Sequence, residues 1–257
     1  DTKVRFIHNL AVQFKRVHLE VDERRRRQYL RAMGITNWAG SQASSSVAVV
    51  DVERRSRARG VDAGDPNDLQ SLRSIEEIVK SCRACNLCET RRNTVFGSGS
   101  ATADWLLVGE APGAEEDKQG LPFVGRAGQL LNNMLSSLGL DRGDAYIANV
   151  LKCRPPRNRD PMGEEVRKCE PYLHQQIGNI QPRIIIAMGR FAAQSLLKDT
   201  TPISRLRGQV HEYEKFGIPL IATYHPAYLL RSPLEKRKAW TDLVLARTTL
   251  EKPGEGA

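Results

Sequence analysis

The sequence predicts an α/β fold: a three-layer α/β/α sandwich around a central, mostly parallel sheet of four strands. Two observations predict it. From about residue 71 onward, short apolar runs alternate with stretches of helical periodicity. The runs are apolar at consecutive positions rather than at every second one, the pattern of strands covered on both faces by crossover helices.

The elements follow in order. Residues 72–79 form an amphipathic stretch leading into the first cysteines. The first run, 105–108, is Trp-Leu-Leu-Val, and a helical stretch over 125–138 follows it. The second run, 145–150, precedes a helical stretch over 164–177. The third, 183–188, is rich in isoleucine and precedes a helix over 190–198. The fourth, 218–224, precedes a closing helix over 234–248. No internal repeat is present.

Residues 1–70 read differently. Arg24, Arg25, Arg26 and Arg27 open a short helical stretch that stops at Gly34. A serine-rich segment over 41–46 and a charged segment over 53–60 have no periodic apolar face. We read 1–70 as a basic, largely disordered extension, 71–251 as the folded domain and 252–257 as a tail. The arginines of the extension either hold nucleic acid without sequence preference or form a solvated surface.

Composition narrows the class. Of 257 residues, 40% are hydrophobic and 27% charged, the balance of a soluble globular protein. No apolar run approaches the roughly 18–20 residues a bilayer span needs. No charged-then-apolar leader opens the chain at Asp1, whose identity implies a start upstream or a trimmed end. These features exclude a membrane protein and fit a cytoplasmic one. The net charge of +9 draws polyanions.

In a parallel sheet, ligands sit beyond the carboxyl ends of the strands. The first strand ends at Gly109, Glu110 and Ala111, the second carries Asn149, the third ends at Gly189 and Arg190, and the fourth at His225. Each residue alone has a plainer reading: a cap, a turn former, a packed histidine. An acid, an amide and an imidazole at one sheet edge, each from a different strand, define a candidate active site.

The five cysteines are Cys82, Cys85, Cys88, Cys153 and Cys169. An odd count with uneven spacing argues against a disulfide framework and for metal. The tight pair Cys82 and Cys85 with the downstream pair Cys153 and Cys169 suits a four-thiolate zinc site or a [4Fe–4S] cluster, and spacing does not choose between them. Cys88 competes as a ligand. The segment 154–168, with Arg154, Arg157, Arg159, Arg167 and Lys168, is a basic loop suited to phosphate contact.

The wording of 109–117 (GEAPGAEED), 121–131 (LPFVGRAGQLL), 149–156 (NVLKCRPP) and 225–231 (HPAYLLR) resembles the family 4, iron–sulfur uracil-DNA glycosylases. The resemblance runs from about residue 75 to 250 with motif order and spacing kept. It implies a base-excision-repair enzyme of prokaryotic cytoplasm that hydrolyses the bond between uracil and deoxyribose, as a monomer, on single- or double-stranded DNA. It implies that Phe123 stacks on the flipped uracil, that Asn149 bonds its Watson–Crick edge, and that His225 donates to O2 of the leaving base. Glu110 would orient or activate the attacking water, with backbone near Ala111 holding the base. A [4Fe–4S] cluster on Cys82, Cys85, Cys153 and Cys169 is implied, with Cys88 free.

Phe123 also reads as an ordinary core residue, although Pro122 and Gly125 place it in a loop. Tyr228, Leu229, Leu230 and Arg231 read either as an apolar tip that fills the gap in the base stack, with Arg231 on a phosphate, or as a helix start packed on the core. Arg154 and Arg157 are expected DNA contacts. Three related types are disfavoured. A non-catalytic relative would lack the polar strand ends, a subgroup trapped covalently on its product carries a histidine absent from 154–168, and the family 5 type lacks the acid at Glu110.

Overall fold

The computed structural model describes residues 66–251, so the readings for 1–65 and for 252–257 lie outside the described residues. The first helix, α1 (Pro66–Ser81), begins inside the segment assigned to the extension. A short α2 (Leu87–Thr90) carries Cys88. The sheet elements are β1 (Ser98–Gly99), β2 (Trp105–Gly109), β3 (Ala145–Asn149), β4 (Ile184–Met188), β5 (Val210–Tyr213) and β6 (Ile218–Thr223). The connecting helices are α3 (Ala114–Gln119), α4 (Arg126–Ser137), α5 (Gly163–Ile180), α6 (Arg190–Leu197), α7 (Ile203–Leu206), α8 (Pro226–Arg231) and α9 (Lys236–Glu251).

The strands lie in the order β1-β3-β2-β4-β6-β5. The inner four are parallel and correspond to the four apolar runs. The sheet has six strands rather than four because β1 and β5 pair antiparallel at its two edges. Both escape the apolar-run signal. β1 is two residues long, and β5 is Val-His-Glu-Tyr with only Tyr213 buried, as suits an edge strand half open to water.

The parallel register lines up whole rows of side chains. Leu107 pairs with Ile147 and Ile186, and Ile186 with Ile221. This row faces α4 and α9, where it meets Leu131, Met134, Trp240 and Leu243. One residue earlier, Leu106, Tyr146, Ile185 and Leu220 face the opposite side. There they meet Val79 of α1, Leu173 and Ile177 of α5 and Ala193 of α6. A one-residue slip would exchange the two cores, so the register is fixed. Each fully buried aliphatic side chain contributes about 1.5–3 kcal/mol.

The end of β6 is held by a buried polar anchor. Thr223 Oγ1 donates to Asp242 Oδ2 of α9 at 2.8 Å, and the Arg207 guanidinium pairs with the same carboxylate at 2.9 and 3.1 Å. Burial raises the Asp242 carboxyl to about 6. His225 lies two residues beyond Thr223, so this anchor sets where the imidazole leaves the sheet. No helix among the described residues is long and apolar enough to cross a membrane.

Candidate active site

A cavity of about 390 Å³ opens at the carboxyl ends of the parallel strands, a volume suited to a nucleoside-sized ligand. Glu110, Ala111, Phe123, Asn149 and His225 all line it, so the strand-end residues picked out from the sequence do come together.

Asn149 is the last residue of β3 and is 1% exposed. Its Oδ1 is buried and has no hydrogen-bond partner. A buried unpaired acceptor costs on the order of 1–3 kcal/mol, so this atom calls for a donor from a ligand. Gly109, opposite Asn149 in the β2–β3 pairing, makes room for it. A Cβ there would lie 2.4 Å from Asn149 Oδ1 and 2.7 Å from the Phe123 ring.

Phe123 belongs to the core cluster, as its plainer reading expects, and its ring also lines the cavity. Its φ of 51° lies in the left-handed region, a strained backbone that its surroundings must hold. Three contacts do so. Glu116 of α3 accepts the backbone N–H groups of Val124 at 2.9 Å and Gly125 at 3.0 Å. Arg142 donates to the carbonyls of Phe123, at 3.1 Å, and Pro122. Gly128 of α4 lies so close that a Cβ would sit 1.8 Å from Phe123 O. The ring then stands 5.5 Å from the His225 imidazole, tilted by 32°.

His225 caps α8, and its Nδ1 accepts the backbone N–H of Ala227 at 3.1 Å. The proton of the neutral ring is therefore on Nε2. Burial, aided by the Arg231 charge, pushes the imidazole down to about 4. At neutral pH it is an uncharged Nε2–H donor.

Glu110 behaves in the opposite sense. Burial lifts its carboxyl to about 7, the Asp160 carboxylate adds to the rise, and the Arg190 guanidinium opposes it. Asp160 and Arg190 pair at 3.2 Å. Their influence on Glu110 is a tertiary effect with no signal in the sequence, as is the hold of Glu116 and Arg142 on Phe123.

The segment 226–231 is a short helix, so the helix-start reading describes its backbone. Leu229 is 0% exposed and sits in the core, which corrects its assignment to a DNA-inserting tip. The helix turns that residue toward α4, while Tyr228 and Leu230 remain exposed and Tyr228 and Arg231 border the cavity. Arg154 and Arg157 lie on the loop beside the cavity, not in its lining. Arg154 Nε donates to Asn158 Oδ1 at 2.8 Å, and Arg157 is exposed with a φ of 55°. From this loop it is Arg159, held by Glu165, that reaches the lining.

A second, small pocket lies where α1, α2, α5 and the chain after β3 meet. All five cysteines border it, and none is in a disulfide. Polar hydrogens point at three of the sulfurs. Arg91 donates to Cys153 Sγ at 3.0 Å, the backbone N–H of Lys152 to Cys169 Sγ at 3.1 Å, and the Tyr172 hydroxyl to Cys82 Sγ at 3.4 Å. Burial raises the Cys153 and Cys169 thiols, and the Arg91 and Lys152 donors act against that rise. Cys88, read as free, borders the same pocket. No three potential ligands among the described residues group around a single ion.

A mixed sheet whose parallel strands bring an acid, an amide, an aromatic ring and a neutral imidazole together over their ends defines an α/β protein of enzyme-like architecture. Comparison with known proteins narrows this. Residues 96–246 match the model of the uracil DNA glycosylase superfamily. The type-4 uracil-DNA glycosylase of Archaeoglobus fulgidus is 52% identical over 151 residues, covering 56% of this chain and 76% of that protein. Those of Pyrobaculum aerophilum (46% identical, 60% and 82% covered) and Thermotoga maritima (42%, 64% and 86%) are also similar. The chain belongs to the type-4 uracil-DNA glycosylases.

Proposed function

We infer that this protein removes uracil from DNA by hydrolysing the N-glycosidic bond of deoxyuridine, leaving an abasic site and an uncut strand. The observation that carries the reading is the unpartnered Asn149 Oδ1 at the base of the cavity. Uracil offers a ring N–H where cytosine offers a bare acceptor, so a fixed acceptor at that point selects uracil.

The chemistry follows from the neighbours. Uracil turned out of the stack lies against the Phe123 ring with its edge on Asn149. As the bond from C1′ to N1 breaks, the electron pair leaves with the base and charge collects on O2, where His225 Nε2–H donates to it. The sugar becomes cationic, and the Glu110 carboxylate favours that state while orienting a water. The water oxygen bonds C1′ and its proton passes to Glu110. Backbone near Ala111 helps seat the base. Among the described residues no lysine lines the cavity, which supports hydrolysis without a Schiff-base step that would cut the strand.

The sulfur pocket fits a [4Fe–4S] cluster on Cys82, Cys85, Cys153 and Cys169. The donor set is entirely thiol, and burial pushes the Cys169 thiol up to about 12, so metal binding must displace its proton. When bound, the cluster supplies a rigid anchor that ties the segment around Cys82, the chain after β3 and α5 together. The basic loop from Arg154, stapled between Cys153 and Cys169, would then be presented to the phosphates, together with Tyr228 and Arg231 of the cavity lining and the exposed Leu230.

The test is incubation with an end-labelled oligonucleotide carrying one uracil. Cleavage at the uracil after alkali, and an intact strand before it, is expected. No alkali-labile site, or cutting without alkali, would overturn the reading.

A further inference from the structure

A buried amine joins the two sites. Lys152 is 1% exposed, three residues after Asn149 and one before Cys153. Its Nζ donates to the backbone carbonyl of Asn149 at 2.8 Å and to Gln176 Oε1 at 2.5 Å. Gln176, fully buried on α5, donates in turn to Phe96 O at 3.0 Å and to the Tyr146 hydroxyl at 3.1 Å. Gln176 lies seven residues after Cys169, on the same face of the helix. The backbone N–H of Lys152 meets Cys169 Sγ, and its carbonyl accepts Val95 N at 2.8 Å.

A buried amine costs stability that a methionine of similar shape would not, so its partners explain its presence. The Asn149 amide has no hydrogen bond at Oδ1, so that end of the side chain is set by packing and by its own backbone. Val150 N and Leu151 N bond the carbonyls of Gly109 and Glu110 at 2.9 and 3.0 Å, which fixes the chain beyond Asn149. The Asn149 carbonyl itself is held by Lys152.

We propose that Lys152 is a positioning residue, which clamps the Asn149 carbonyl and transmits the rigidity of the sulfur site to the base-reading amide. Without the clamp the carbonyl is left unpaired in the core, and the peptide turns to satisfy it. The Asn149 side chain moves with that peptide. A displacement of about 1 Å at a reacting or reading group costs about 100-fold. The inference rests on the reading that Asn149 binds the uracil ring.

The experiment measures binding of free uracil, by competitive inhibition, to holoprotein of wild type, Lys152→Met, Asn149→Ala and the double variant. Iron content and affinity for uracil-free DNA are followed in parallel. Lys152→Met is expected to weaken uracil at least about tenfold with iron and DNA affinity kept, and to add nothing in the Asn149→Ala background. Gln176→Leu loosens the far anchor of the amine and is expected to give a smaller loss with the same coupling, which serves should Lys152→Met fail to fold. Fully additive losses would overturn the proposal, because Lys152 would then act independently of Asn149. Loss of iron together with uracil binding in both variants would also overturn it, as the amine would serve the sulfur site alone. An Asn149→Ala variant that binds uracil normally would overturn the base-reading role first and this inference with it.

Discussion

The two opposed shifts in the cavity predict an acid limb in the activity profile. His225 stays neutral down to about pH 4, so it does not titrate in the working range. Glu110 does, because burial and Asp160 hold its carboxyl near 7. A raised carboxyl is protonated below its midpoint and charged above it, so activity needing the carboxylate rises with pH and is lost as pH falls through about 7. At pH 6 about one site in ten is ionised, and at pH 8 about nine in ten, giving roughly a tenfold rise in the excision rate between them. Asp160→Asn removes a repelling charge and frees Arg190, so the limb moves to lower pH. Arg190→Gln removes the opposing cation, so the limb moves up. The assay is single-turnover excision with enzyme in excess, which reads the chemical step from pH 5 to 9, in low salt where these exposed charges are least screened. Glu110→Gln is expected to be slow and flat over this range. A wild-type profile flat between pH 6 and 8, or a limb that survives in Glu110→Gln, would refute the assignment.

Three further expectations follow from other parts of the molecule. His225→Ala loses the donor at O2 and is expected to slow excision by about 10²–10³, while affinity for a non-cleavable uracil analogue, measured by gel shift, stays near wild type. Purified protein is expected to be brown, with a broad band near about 400 nm, and to keep its iron in Cys88→Ser; a colourless zinc protein, or iron loss in that variant, would show that the ligands are misassigned. Asp242→Ala strands the Arg207 guanidinium beside the end of β6 and is expected to cost about 3–5 kcal/mol in urea unfolding, with Asp242→Asn costing less.

What was legible in the sequence divides along physical lines. The four inner strands are buried on both faces, so runs such as Ile184, Ile185 and Ile186 announce themselves without any partner being known. The strand ends followed from the fold alone, which is why Glu110, Asn149 and His225 could be named together. The edge strands could not be read, because Ser98–Gly99 and Val210–Tyr213 owe their form to pairing with β3 and β6. Leu229 shows the limit for side-chain direction. In Tyr-Leu-Leu-Arg both leucines look equivalent, and only the docking of α8 on α4 buries one and exposes the other. The hold on Phe123 is hidden for a similar reason, since Arg142 lies far along the chain in a turn with no motif of its own.

The central claim is that a fixed acceptor on Asn149 reads the ring N–H of uracil. Its most direct measurement compares inhibition of excision by free uracil and by uracil methylated at N3, with wild type and with Asn149→Ala. Wild type is expected to bind uracil at least about tenfold more tightly than the methylated ring, with that preference gone in Asn149→Ala. Equal binding of the two rings by wild type, or an undiminished preference in Asn149→Ala, would contradict the account.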